Sequence, residues 1–368
     1  MDTSLLHSRK AFPIDVALMA DFIVGLQKAS GEIPWSEGGK TDPWDHIESA
    51  MGLSAAGYYR EAERAYGWLC STQLPDGSWW SASRAGAPVD RTKESNFASY
   101  IAVGVYHHFL ITGDIAFLRR HWPAIKAGVN YAVELQAHSG EIHWARNSEG
   151  IVDPMALLTG SCSVYMSLKC AIAVAERLGK GASAWKAALH RLGDAIRYRP
   201  SLFNMMKSRF SMDWYYPVLC GAITGDEARK RIERSWDKFV VPGWGVRCVS
   251  DQPWVTTAEA SELVLALMAI GDRERAAIVF GWICDKCYDD GSYWMGVTFP
   301  DGVIWPEEKT SWTTAAVLLA HDALYAVTPA NRLFSHRFWE RNGIALRGTR
   351  SPSRYTYDFD NPPSLPIY

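Results

Sequence analysis

At 368 residues, 48% of them hydrophobic and 21% charged, the chain is long enough to bury one sizeable core. Its formal charge of −2 supplies no field to gather nucleic acid or an anionic membrane, and no stretch has the roughly 18 uninterrupted apolar residues of a membrane span, so neither partner is expected.

The first helix is expected over residues 14–27, where apolar residues fall at three- and four-residue steps, and it closes on the string QKASGEIPW at 27–35. The polar loop TDPWDHIES then leads into a helix rich in small residues over 46–57. Helices over 61–73 and 95–112 repeat the pattern around QLPDGSWW at 73–80, and those over 115–136 and 157–178 repeat it around QAHSGEIHW at 136–144. Next come a helix over 184–197, a loop at 208–217 and a short helix at 218–223, followed by 226–239, a loop at 243–257 and 258–270. The last pair, 273–287 and 311–326, flanks CYDDGSYW at 287–294. In each string a Gly-centred turn stops a helix and an aromatic closes the loop. Repetition on this scale marks one supersecondary unit used several times.

Six helical hairpins, with the helices richer in Ala, Gly and Ser inside, predict an all-α (α/α)6 toroid. At most a short β-hairpin is expected in its loops, built on Pro300-Asp301-Gly302. The barrel is expected over residues 1–327, with 328–368, basic and Pro-rich, forming a surface-wrapping or partly disordered tail. Seven scattered cysteines, with no apolar leader in residues 1–14, point to reduced thiols and a cytoplasmic protein. Cys284 and Cys287 form a C-x-x-C without a second Cys/His pair, which favours a structural role, so no metal and no cofactor are expected.

The four strings resemble the Gln-Trp repeats of the squalene–hopene cyclase and protein-prenyltransferase superfamily. A second resemblance rests on Glu94-Ser95-Asn96, on TGDIAFLRRHWPAIKAGVNYAVELQ at 112–136 and on WPEEKTSWTTAAVLLAHDAL at 305–324. These are similar to segments of the six-hairpin, glucoamylase-like glycosidases. Both resemblances imply an α/α toroid and differ in chemistry, which a fold does not decide.

In such a ring the six loops ahead of the inner helices converge on one mouth. They bring Asp42, Asp45 and Glu48, then Asp90 and Glu94, Glu149 and Asp153, Asp213, Asp251 and Glu259, and Glu307 and Glu308. Tryptophan and tyrosine are interleaved among them. Sugars need this mixture, carboxylates for hydroxyl groups and aromatic faces for the C–H face of the ring. Glycoside hydrolysis needs one protonated carboxyl and one ionised carboxylate on opposite faces of the sugar. The glucoamylase-like resemblance implies an acid from the third loop and a base from the sixth, which nominates Asp153 and Glu307. Asp213, flanked by Met212, Trp214, Tyr215 and Tyr216, is a third catalytic candidate because such a charge is costly to bury without a partner. Glu149 stays open as the acid. Trp44, Asp45, His46, Trp80, Glu94, Trp144, Trp214, Tyr215, Arg247, Trp254 and Trp305 are expected to bind substrate, whereas His107 and His108 are read as core.

The reading is a cofactor-free glycoside hydrolase acting on a small-molecule or oligosaccharide substrate. An isoprenoid-processing enzyme and a non-catalytic sugar-binding toroid remain as alternatives, the first lacking a DxDD motif in the ring, since Asp358-Phe359-Asp360-Asn361 lies in the tail.

Overall fold

The structure is a computed structural model that describes residues 14–343; the first 13 residues and the end of the chain, with the acidic tetrapeptide at 358–361, lie outside the described residues. Six helices carry charge on one side and bury the other: α1 (Val16–Leu26), α3 (Tyr59–Thr72), α6 (Ile115–Glu134), α8 (Ser183–Tyr198), α10 (Gly225–Arg234), which the short α11 (Trp236–Phe239) follows, and α13 (Arg273–Gly281). Between them run α2 (Pro43–Ala55), α4 (Ser95–Ser99) continuing into α5 (Ile101–Thr112), α7 (Leu158–Arg177), α9 (Ser211–Leu219), α12 (Thr257–Ala269) and α14 (Ser311–Tyr325), mostly buried along their length. A helix apolar all round belongs in a core. That explains α7, which is long and apolar enough to cross a bilayer yet lies mostly buried in the body of the protein.

The inner helices pack in succession, α2 on α5, α5 on α7, α7 on α9, α9 on α12, α12 on α14 and α14 back on α2, so their contacts form a closed circuit. Each outer helix lies against an inner one, α3 on α2, α6 on α5, α8 on α7, α10 on α9, α13 on α12 and α1 on α14. Small residues permit the crowding: a Cβ at Gly52 would stand 2.9 Å from that of Ala315, and one at Gly104 would stand 2.6 Å from the Ile47 side chain.

The repeated strings join neighbouring units. Gln73 Nε2 donates to its own turn at Gly77 O (2.9 Å) and to Ala124 O in α6 (3.0 Å). Gln27 bridges Gly31 O and Glu61 O of α3 in the same way, and Gln136 bridges Gly140 O and Ala188 O of α8. The glycine of each turn lies flat on the next outer helix. At Gly77, with φ +89, an added methyl would run into the Ala127 carbonyl. The fourth string has Cys287 where the others have Gln, but its Gly291 sits on the Leu18 backbone of α1, where a Cβ would be 2.7 Å away. The last unit thereby meets the first.

Two expectations are corrected. The helix expected at 218–223 begins at Ser211 and runs through Pro217. Proline leaves the carbonyl four residues back without its helical partner, and Arg231 supplies one, its guanidinium donating to Asp213 O (2.8 Å) and Trp214 O (2.8 Å). The loops also hold far more than a short hairpin. β1 (Ala82–Arg84) pairs with β2 (Ala87–Asp90); β3 (Lys93–Glu94), β4 (Ala145–Arg146) and β5 (Val152–Asp153) form a second sheet. β6 (Val240–Val241), β7 (Gly245–Arg247), β8 (Trp254–Thr256) and β9 (Gly296–Thr298) form a third, with strands in that order. Long loops crossing one face must satisfy their backbone polar groups, and these do so across units, β3 with β4 and β8 with β9. The turn at Pro300-Asp301-Gly302 is present, bridged by Val297 and Ile304. Beyond residue 327 the chain stays packed as far as the described residues go, through α15 (His336–Arg341) and the buried Trp339. There the Lys169 ammonium lies 4.5 Å from the Trp339 ring centroid and donates to Cys220 O.

Candidate active site

The inner helices begin at the same end of the circuit, where their preceding loops are tied edge to edge. α2 starts with Asp42 as cap, its carboxylate accepting from the Asp45 backbone N–H at 2.9 Å, and with Pro43 in the first turn. Residues three apart share a helix face, so α2 presents Asp45 and Glu48 together, and α12 presents Glu259 and Glu262. Glu48 Oε1 accepts from the Tyr100 hydroxyl (2.7 Å) and Oε2 from the Trp312 indole N–H (2.5 Å). Glu262 accepts from the hydroxyls of Tyr215 and Tyr216. Trp44 stacks on Tyr100 at 4.8 Å and sits 5.9 Å from Tyr216.

Four acids here, Asp45, Glu48, Glu94 and Glu262, resist ionisation. Burial, reinforced by the charge of Asp42, holds Asp45 well above the usual carboxylate range. Burial, with the charges of Glu48 and Glu259 adding to it, does the same to Glu262. Glu48 is pushed up to about 7 by burial, and Glu94, at the entrance to α4, is pushed up to about 7 by the same cause while accepting from Ser81 Oγ. Lys40 pairs with Asp42 at 3.3 Å and lies over the Trp35 ring, which stacks on Trp312. Carboxyls that stay protonated beside aromatic walls are the equipment of acid catalysis.

Of the residues expected at the site, the structure brings Trp44, Asp45, Glu94 and Tyr215 to this cluster. Asp213 is buried nearby, raised by burial and accepting from Thr159 Oγ1 at 2.7 Å. It also lines a separate cavity of about 280 Å³ with Leu158, Phe203, Trp214, Arg231 and Phe239. The other two catalytic candidates stand exposed on the mouth loops. Glu307 is exposed on the sixth loop. Asp153 is exposed on β5, and the Met155 backbone N–H bonded to it, with the Trp144 indole alongside, lowers its pKa, the reverse of what a proton donor needs. His46 is fully buried, Nδ1 accepting from Ile33 N and Nε2 donating to Ala65 O, which makes it a strut between loop and helix. Trp214 is buried on the side of the outer helix α10, donating to Arg231 O and stacking on Phe239. Arg247 covers Phe299 and reaches backbone carbonyls of Lys238 and Ser250. Trp80 (under the Lys93 ammonium) and Trp144 are half-buried in the second and third loops, and Trp254 donates to Trp305 O at 2.6 Å. His107 and His108 are buried as expected of core residues.

Glu262, Tyr100 and Trp312 were not expected at the site, Tyr216 only as a mouth aromatic, and Glu48 and Glu259 only as mouth acids. The available signal was a pair of acids three apart in an otherwise apolar helix, as in TAEASELVLALMA. Among the described residues no group of His, Cys, Asp and Glu is arranged to hold a metal ion.

An aromatic-walled row of protonatable acids at the open end of a helical circuit is the equipment a glycoside hydrolase needs. No protein-family model matches the chain. Over 315 residues it is 49% identical to the MMP endo-(1,4)-3-O-methyl-alpha-D-mannosidase of Mycolicibacterium hassiacum, a match spanning 86% of this chain and 87% of that enzyme. The chain belongs to the family of that mannosidase. Solved structures share the fold at low identity. A glycosidase superposes with TM-score 0.65 at 15% identity, covering 85% of this chain and 98% of that one. A D-mannose isomerase gives 0.66 at 11% over 87% and 99%, and a rhamnosidase from Klebsiella oxytoca with rhamnose bound gives 0.59 at 13% over 83% and 63%.

Proposed function

We propose that this chain is an endo-acting glycosidase that cleaves 1,4-linked 3-O-methyl-α-mannose chains at the mouth of a six-hairpin (α/α)6 toroid. The closed circuit of inner helices supports the toroid, and the related mannosidase supports the substrate. One observation carries the assignment of roles. Glu48 and Glu262 have both carboxylate oxygens taken by hydroxyl or indole donors, whereas Asp45, Glu94 and Glu259 keep oxygens that no nitrogen or hydroxyl donor fills.

Asp45, half-buried and held protonated, donates its proton to the departing glycosidic oxygen. Glu259, on α12, supplies the second carboxylate, on the other face of the sugar. Glu94 takes a sugar hydroxyl beside Lys40, and Trp44 offers an aromatic edge to the ring. The floor is Glu48 and Glu262, kept in place by Tyr100, Trp312, Tyr215 and Tyr216. Seven unpaired cysteines are consistent with work in the cytoplasm.

The test is digestion of 3-O-methylated 1,4-mannan oligosaccharides, with products sized by mass spectrometry. Internal cleavage is expected, and D45N and E259Q each should lower kcat by about 10²–10⁴ while the melting temperature is kept. Release of monosaccharide alone from chain ends, or full turnover by D45N, refutes the reading.

A further inference from the structure

Exposed apolar side chains are distributed unevenly over the molecule. Of the twelve large hydrophobic residues that stand exposed among the described residues, seven lie on loops at the mouth. Val89 is on the β1–β2 hairpin, Ile151 and Val152 on the third loop, Met205 and Met206 on the fourth, and Val303 and Trp305 on the sixth. Singly such residues need no explanation, but a concentration around one opening marks a binding surface. Met206 is 78% exposed and Ile151 61%, so neither is there to pack the core.

The rim is also built to hold its shape. Thr41 bridges to Ser83, β3 pairs with β4, Asn204 N donates to Ala156 O, Ser250 N to Arg209 O, Phe299 N to Pro253 O and Ser311 N to Trp35 O. Each loop is thus fastened to the next around the opening, and the apolar side chains are presented in fixed places. The rim surrounds an interior lined with carboxylates for hydroxyl groups, so further apolar contact for methyl groups is offered on the rim.

We propose that this rim is a platform that reads the O-methyl groups of sugar units lying outside the cleaved linkage. The inference rests on the methylated-mannan reading above and adds to it where selectivity resides. Each methyl group buried on such a surface favours binding by roughly fourfold, so two or three in contact give a preference of about fifteen- to sixtyfold over an unmethylated chain. The catalytic acids then need not discriminate between the two.

The experiment compares the wild type with I151S/M206S and with V303S/M206S. Steady-state rates are measured on 3-O-methylated and unmethylated 1,4-mannan oligosaccharides of equal length, and thermal melts report folding. On the methylated chain, each double variant is expected to raise KM about tenfold with kcat within twofold, and on the unmethylated chain KM is expected to move less than twofold. Unchanged KM on the methylated chain in both variants, with the wild type cleaving it, overturns the platform and leaves the functional reading standing. No cleavage of any 3-O-methylated chain by the wild type overturns both.

Discussion

Replacing Glu48 by Gln tests whether the acid cluster stores the electrostatic cost assigned to it. The Glu48 pKa rises from 4.5 to about 7 because the carboxyl is buried, at 4% exposure, next to other acids. A folded state that keeps a proton the unfolded chain gives up is most stable below the unfolded pKa and loses stability as pH rises through the folded one. Between pH 5 and pH 8 that loss is roughly 2–3 kcal/mol from this residue alone. E48Q removes it, and by removing a negative charge it also eases the ionisation of Glu262.

The amide brings a cost of its own, since its NH2 must face either Tyr100 or Trp312, both donors to the native carboxylate. That mismatch lowers absolute stability by about 1–3 kcal/mol at every pH. The slope against pH is therefore the quantity to read. Urea midpoints at pH 5, 6, 7 and 8 for wild type and variant give it directly, converted with the common m-value. The variant curve should be flatter by roughly 2–3 kcal/mol across the range. Parallel curves would mean that Glu48 is not held protonated in the folded state, and the argument from burial would fail.

Three further outcomes follow. E307Q and D153N, altering exposed acids on the mouth loops, should retain kcat within about threefold of wild type in the same mannan digestion; a hundredfold loss in either would return the catalytic role to that residue. Q73A deletes one hydrogen bond within its string and one to α6 and should cost about 1–2 kcal/mol in urea denaturation with kcat unchanged. Gly77→Ala meets the Ala127 carbonyl at a left-handed φ and should cost more than about 2 kcal/mol, whereas Gly67→Ala, inside α3 with open space at its Cβ, should add about 0.5–1 kcal/mol, both read as midpoint shifts.

The helices were legible because their apolar residues recur at helical steps and because the repeated strings stop them at glycine turns. The sheets were not, since strands of two to four residues carry no measurable alternation and their partners are far away in sequence, as Lys93 is from Arg146 and Trp254 from Thr298. At the site, residue types were legible and positions less so. Asp45 and Glu94 were found because they stand at helix entrances. His46 was placed at the mouth with Asp45, but one residue along a helix is a turn of about 100°, and its ring points to Ala65. Glu262 was missed because it lies inside a helix and not in the loop ahead of it. Only the packing of α12 against α9 shows that two tyrosine hydroxyls await it. Asp153 and Glu307 came from resemblance to another glycosidase group, and in this chain both stand exposed on the mouth loops.

The seating of Gly291 on α1 has a consequence for how the molecule comes apart. An open stack of helical hairpins frays from its ends, shedding a terminal repeat while the remainder survives. Here no repeat is terminal. Deleting any one hairpin bares two apolar flanks at once, so gradual unzipping has no place to begin, and the sugar meets a mouth that is either whole or absent.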